Sequence, residues 1–274
     1  MGSSNKNPNP ATDPYIATHN IILAHAAAAK LYKEKYQVTQ GGEIGISLVC
    51  QWFEPHSTTP HDKEAADRAV DFLVGWYMDP LVYGDYPFAM KALVRGGLPK
   101  FSEEEQKLVK GAYDFIGVNY YTSRYAKSFQ INTDDSYQRH DQYQYVDLKV
   151  DRNGKPIDQM AKVSDAIYTY PEGLRDVLVH LKQDYNHPKI YITENGVPSK
   201  RDDTIPIEKA LQDDYRIEHI LSHLYAVREA MNSRSSRAYW GLRFFSEQDR
   251  SSDGQAPSEQ KSTGHALEKT VRAM

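Results

Sequence analysis

Along this chain, short β-branched apolar runs alternate with segments whose apolar residues recur every three or four positions. Three runs, Ile44 to Val49, Tyr113 to Val118 and Ile190 to Thr193, read as buried parallel strands. Before the first, Asp13 and Pro14 suit the cap and first position of a helix, and Ile16, Leu23, Ala27 and Leu31 follow at helical steps. The small residues from Ala24 to Ala29 let this helix lie close to a neighbour, and Gly41-Gly42 breaks it from the strand. From Asp62 to Met78 the positions Ala65, Ala69, Phe72, Leu73, Trp76 and Tyr77 keep a helical period, with Pro80 expected just beyond the last turn. Ser102 and Glu105 form a capping box that opens a helix through about Lys110. Pro171-Glu172-Gly173 opens another through about Gln183, and Ala210, Ile217, Leu221, Leu224 and Met231 mark a long amphipathic helix. Strand then helix, repeated in this way, predicts an α/β fold built from parallel βαβ units.

Between these elements, Gly84-Asp85-Tyr86-Pro87 reads as a turn. Residues 127–160 are polar and rich in Tyr and Asp, with a hairpin signal at Asn153-Gly154, and so form an excursion on the loop face. Residues 1–12, polar and rich in Pro and Asn, read as a disordered start. Beyond Asn232 the composition turns to Ser, Arg, Gln and Glu, apart from aromatic pairs at Tyr239-Trp240 and Phe244-Phe245. Residues 232–274 are therefore expected to be a divergent, largely disordered tail, leaving 13–231 as the folded part.

With 274 residues the chain can bury a full core. Its 33 basic and 37 acidic residues give a net charge of −4 with no basic stripe, which argues against nucleic acid as a partner. No apolar run approaches the roughly 20 residues that cross a bilayer, and the first residues lack a signal peptide's apolar segment. No membrane partner is expected, and the cytosol is the expected location. The single cysteine, Cys50, sits in a strand-like run and reads as a buried thiol. The ten histidines are scattered without ligand spacing, so neither metal nor cofactor is expected.

The chemistry-bearing stretch is Lys189-Ile-Tyr-Ile-Thr-Glu-Asn-Gly196, where Asn195-Gly196 ends a strand abruptly and leaves Glu194 at its carboxyl end. Catalytic side chains of α/β folds stand there. Taken with His19-Asn-Ile-Ile-Leu-Ala-His25, Gln51-Trp-Phe-Glu-Pro55, Gly84-Asp-Tyr-Pro87, Leu98-Pro-Lys-Phe101, Asp114-Phe-Ile-Gly-Val-Asn-Tyr-Tyr-Thr122 and Tyr170-Pro-Glu-Gly173, this stretch resembles glycoside hydrolase family 1, within it the plant β-glucosidases. The resemblance runs in order from about residue 12 to residue 231. It implies a partial (β/α)8 TIM barrel, the three runs being strands five to seven with their helices.

The resemblance also implies retaining hydrolysis of β-glucosides, in which one carboxylate attacks the sugar and a second carboxyl group, roughly 5 Å away, protonates the leaving oxygen. It places the nucleophile on Glu194 and its orienting partners on Asn119 and Tyr121; Gln51 is a weaker candidate, equally readable as a contact to the sugar or aglycone and as a hydrogen-bonding loop anchor. The family motif that supplies the acid/base glutamate, at the end of strand four, is not present in this sequence. Glu54-Pro55 belongs to the strand-five motif and does not replace it. The first four strands and the eighth have no counterpart here, and the aromatic platform for the aglycone aligns with Ala166. Two functions fit this pattern. One is a β-glucosidase-like protein acting on a β-glucoside with impaired or absent catalysis; the alternative is a non-catalytic relative that binds a full-length β-glucosidase homologue and modulates its assembly or activity.

Overall fold

The computed structural model describes residues 8–129, 139–161, 164–198 and 204–232, all within a compact unit spanning Met1–Phe244. A second unit, Phe245–Met274, lies outside the described residues, as do the sequence readings for residues 1–7 and for the chain after Asn232. Asn9 to Thr12 form a turn in which the Asn9 carboxamide accepts from the Ala11 N–H, and the Asp13 carboxylate accepts from the Asn9 N–H.

Helix α1 (Asp13–Lys35) follows, and a short α2 (Gln37–Gln40) ends at Gly41, whose φ of 64° is the left-handed conformation that glycine caps adopt. The first strand, β1 (Gly45–Cys50), runs on through Gln51 into β2 (Phe53–Pro55). Helix α3 (Pro60–Val70) is capped by the Thr59 hydroxyl and passes through a π turn, Asp71–Gly75, into α4 (Trp76–Tyr83). Pro80 therefore lies inside a helix, not beyond its end: the wider π turn and restart at Trp76 put it in the second turn of α4. Gly84 closes α4 in the left-handed region, and α5 (Phe88–Val94) precedes the capping-box helix α6 (Glu103–Val109).

Strands β3 (Phe115–Tyr120), β4 (Arg124–Ser128), β5 (Val146–Lys149), β6 (Asp151–Arg152), β7 (Lys155–Pro156), β8 (Gln159–Met160) and β9 (Tyr168–Thr169) come next. The expected hairpin is formed by β6 and β7 around Asn153 and Gly154, both at positive φ. After α7 (Pro171–Asp184) and β10 (Ile190–Glu194) come α8 (Ile207–Ala210) and α9 (Asp214–Asn232). The three sequence-predicted strands are thus present, with β1 and β3 shifted one to two residues towards the carboxyl end.

Strands β1, β3 and β10 form a three-stranded parallel sheet with β3 at its centre. Alternation sends Leu48 and Cys50 of β1, Ile116, Val118 and Tyr120 of β3, and Ile190 and Ile192 of β10 into one core with the helices. Among the described residues no other strand joins this sheet, so a closed barrel is not formed. Asp114 ties its entry end together. Its carboxylate accepts from the Ile44 N–H at 3.0 Å, from Gln37 Nε2 at 2.9 Å and from Lys33 Nζ at 2.9 Å. Burial raises its pKa, but these donors outweigh burial and the net shift is downward.

Two helices bury a face other than the one read from the sequence. Helix α1 buries Tyr15, Thr18, His19, Ile22, Ala26 and Ala29, while Ile16, Ala27 and Leu31 are exposed. Its polar members are admitted because each has a partner: His19 Nδ1 bonds the Tyr86 hydroxyl at 2.9 Å, and the Thr18 and Tyr77 hydroxyls meet at 3.4 Å. Helix α9 buries His219, His223, Ala226, Val227 and Ala230 against α7, leaving Ile217 and Leu221 exposed; Ala210 lies apart in α8. No helix among the described residues is long and apolar enough to cross a membrane.

Candidate active site

The carboxyl ends of β3 and β10 meet at an irregular point in their ladder. Ile190, Tyr191 and Ile192 pair with Ile116, Gly117 and Val118, but the next partner of Asn119 is Glu194, so Thr193 is an extra residue. Strict alternation would turn Glu194 to the same side as buried Ile190 and Ile192. The bulge breaks that alternation, and Glu194 is exposed.

Around it the neighbours are fixed. The Tyr121 hydroxyl donates to Glu194 Oε2. Thr193 Oγ1 donates to Asn119 Oδ1, so the amide oxygen is engaged within the ladder and Asn119 stands beside Glu194 in register without bonding to it through that oxygen. The Asn195 carboxamide donates to the Tyr120 carbonyl at 2.9 Å, holding the chain after Glu194 against β3. The sequence reading put Thr193 in the strand and Asn195 at its end, and gave neither a role in the site. Their signal lay in the motif itself, since a Thr and an Asn on either side of the glutamate give a bulge two polar anchors.

Behind this end, the buried Tyr120 hydroxyl donates to the Tyr170 carbonyl at 2.6 Å and meets Ser123 Oγ at 2.8 Å. Burial drives its pKa upward, so it remains a neutral donor. Gly173, in the first turn of α7, is required by this contact: a Cβ there would lie 2.3 Å from the Tyr120 hydroxyl and 2.2 Å from Ser123 Oγ. Arg124 donates to Thr122 Oγ1 at 2.9 Å, to the Ser123 carbonyl at 2.8 Å and to the carbonyl of Ala166, the exposed residue at the expected platform position.

Gln51, half-buried just past β1, lies at the same end of the sheet but is separated from β10 by the intervening β3. Among the described residues it makes no hydrogen bond to Glu194, Asn119 or Tyr121. Cys50 is fully buried and its thiol is pushed up to about 12 by desolvation, as a packed thiol should be. Among the described residues no three His, Cys, Asp or Glu side chains are grouped to hold a metal ion.

Known proteins match this arrangement closely. Residues 3–245 match glycosyl hydrolase family 1. Beta-glucosidase 12 of Oryza sativa subsp. indica is 47% identical over 236 residues, covering 84% of this chain and 45% of that protein. The raucaffricine-O-beta-D-glucosidase of Rauvolfia serpentina is 46% identical over 230 residues, covering 82% and 42%. The crystal structure of a rice beta-glucosidase superposes with a TM-score of 0.82 at 38% identity, over 89% of this chain and 51% of that one. A beta-glucosidase from the fungus Humicola insolens, solved in complex with glucose, gives 0.79 at 33%, over 88% and 50%. The chain thus spans about half the length of the relatives it matches. Strand-end carboxylate, bulge and sequence match together make the chain a member of glycosyl hydrolase family 1.

Proposed function

We propose that this chain carries the nucleophile-bearing half of a retaining β-glucosidase site, with β1, β3 and β10 as the fifth, sixth and seventh strands of a (β/α)8 barrel. The observation that carries the reading is the Tyr121 hydroxyl donating to Glu194 across the ends of β3 and β10. A carboxylate that accepts such a bond is held at a fixed angle, as an attacking oxygen needs. Glu194 would form a bond to the anomeric carbon as the aglycone oxygen leaves with the bonding electrons, and water would later displace the glutamate. Asn119, its oxygen engaged by Thr193, has its NH2 group to offer a sugar hydroxyl, and Gln51 is the outer candidate for a sugar or aglycone contact. Relatives of equal similarity carry different aglycones in their names, so the proposal is confined to the β-glucoside linkage.

The family's acid/base motif has no counterpart in this sequence, and proton transfer to the leaving group contributes roughly 10²–10⁴-fold. The chain by itself is therefore proposed to be impaired on ordinary glucosides and least impaired on aryl glucosides, whose leaving groups need little protonation. The test is release of the chromophore from an aryl β-glucoside by the purified chain beside Glu194→Gln. Slow release that is abolished in the variant is the expected result. Release that is unchanged in Glu194→Gln would overturn the assignment of the nucleophile.

A second reading, binding to a full-length β-glucosidase, is favoured by the outer edges of β1 and β10, which no described strand covers, and by Val49, 55% exposed on β1. Absence of release from soluble, folded chain, together with co-sedimentation with a full-length relative, would favour it. Failure to co-sediment would remove it.

A further inference from the structure

Away from the Glu194 end of the sheet, a cavity of about 390 Å³ opens between the turn after α4, helix α5 and the segment that leads into α6. It shares no residue with the candidate active site. Tyr86 and Phe101, both buried, form its aromatic floor, with ring centroids 4.8 Å apart; the His19 imidazole lies 4.4 Å from Phe101 on the far side. His19 bonds the Tyr86 hydroxyl, and its burial favours the neutral ring, so the floor carries no charge. Leu98 and Pro99 supply an apolar wall.

The rim is cationic. Lys91, Arg95 and Lys100 line the cavity, against Asp85 as the only acid in its lining. Asp85 is already paired with Lys91 at 2.6 Å, and Glu105 on nearby α6 is engaged by the Ser102 N–H in the capping box. The side chains of Arg95 and Lys100 make no hydrogen bond or ion pair with any described residue. Their charges are thus uncompensated at the mouth of a concave, aromatic-floored space.

The backbone at Arg95 adds a second observation. With φ 55° and ψ −123° it occupies the region that type II′ turns reserve for glycine, although Gly96 and Gly97 follow at once. A glycine one position earlier would remove the strain. An arginine kept in a glycine conformation, with its side chain lining a cavity, is the pattern of strain retained for a ligand. One turn before Lys91 on α5, Phe88 stands 83% exposed, extending the apolar surface beside the cations.

We propose that this cavity binds a small organic anion with a planar apolar body, its carboxylate, phosphate or sulfate group held between Arg95 and Lys100 and its body against Leu98, Pro99 and the aromatic floor. A guanidinium takes two oxygens of such a group at once, and the cavity volume suits a ligand of one ring.

The test is calorimetric titration of the full chain with phenyl phosphate, inorganic phosphate and phenol. Phenyl phosphate should bind saturably at one site, about tenfold more tightly than inorganic phosphate, with phenol weaker than either. Arg95→Gly should raise the melting temperature by relieving the backbone while lowering affinity about tenfold or more, and Lys100→Ala should lower affinity with no change in melting temperature. Stability gained with binding lost is a combination that a merely structural arginine would not produce. If Arg95→Gly fails to fold, Lys100→Ala, at an exposed position, decides the matter. Absence of saturable binding to the folded chain, or binding unchanged in Lys100→Ala, would overturn the proposal; equal affinity for phosphate and phenyl phosphate would overturn the planar body.

Discussion

Thr193 shows how one residue sets the geometry of its neighbours. As the extra residue of the bulge it turns Glu194 outward, and its hydroxyl fixes the Asn119 amide. Tyr121 then supplies the donor to the glutamate. Because Glu194 is exposed, Tyr121→Phe leaves no buried carboxylate unpaired and should barely change the melting temperature. It removes a charge-assisted bond, however, so Glu194-dependent release from an aryl β-glucoside should fall by about 10- to 100-fold. An equal loss of stability and rate would show that Tyr121 acts only as packing. Gly173→Ala makes the opposite split. Its Cβ collides with Tyr120 and Ser123 behind the strand end, so a loss of about 1–3 kcal/mol in denaturant unfolding is expected. Glu194, Asn119 and Tyr121 were named through the family resemblance, and the fold brings the three to one end of β3 and β10. The roles of Thr193 and Asn195 depend on a register shift, and a register is a property of two strands at once.

At the scale of elements, the sequence was most legible where punctuation is local. The Ser102–Glu105 capping box and the Asn153-Gly154 hairpin both work through bonds within a few residues. It was least legible where a distant partner decides, as at His219 and His223. These polar residues are buried on α9 together with Ala226, Val227 and Ala230, their rings 4.0 Å apart against α7. Burial, then repulsion from His223, lowers His219 to about 3, far below the roughly 6.5 of an unfolded chain. Stability from this site is therefore complete above about pH 6.5 and drains away as pH falls. Around the π turn the sign reverses. Burial, then repulsion from Asp79 and Asp67, raises Asp71 to about 6, and burial raises Asp79 likewise to about 6 despite its bond from Tyr185. Protons bind these carboxyls more tightly in the folded chain, so their contribution is complete below about pH 4 and is lost as pH rises through 6. Asp71→Asn should accordingly raise the melting temperature at pH 8 and leave it nearly unchanged at pH 4. His219→Phe should compare better with the unmutated chain at pH 4.5 than at pH 8. Shifts that do not depend on pH in either variant would refute the assignment.

For the whole molecule, the parallel sheet and its core were readable from three apolar runs, but what covers the remaining surfaces was not. The apolar stripes read on α1 and α9 do exist, yet Ile16 and Leu31 of the first and Ile217 and Leu221 of the second face away from the core of the described chain. Periodicity records that a helix has an apolar face without recording what that face meets. The sheet repeats the point, since β1 and β10 each present one edge that no described strand pairs, and parallel sheets are normally covered on both faces. Two kinds of sticky surface therefore coexist, a strand edge and helix faces, and they predict different self-association. If the β1 edge leads, sedimentation should show association that grows with concentration, and Val49→Lys should suppress it by placing a charge on the edge strand. If the helix faces lead, Val49→Lys should leave association unchanged and Ile217→Glu should suppress it. A chain that remains monomeric at all concentrations would mean that neither surface is adhesive enough to pair two copies, and the open edge would then lose its standing as support for a protein-binding role.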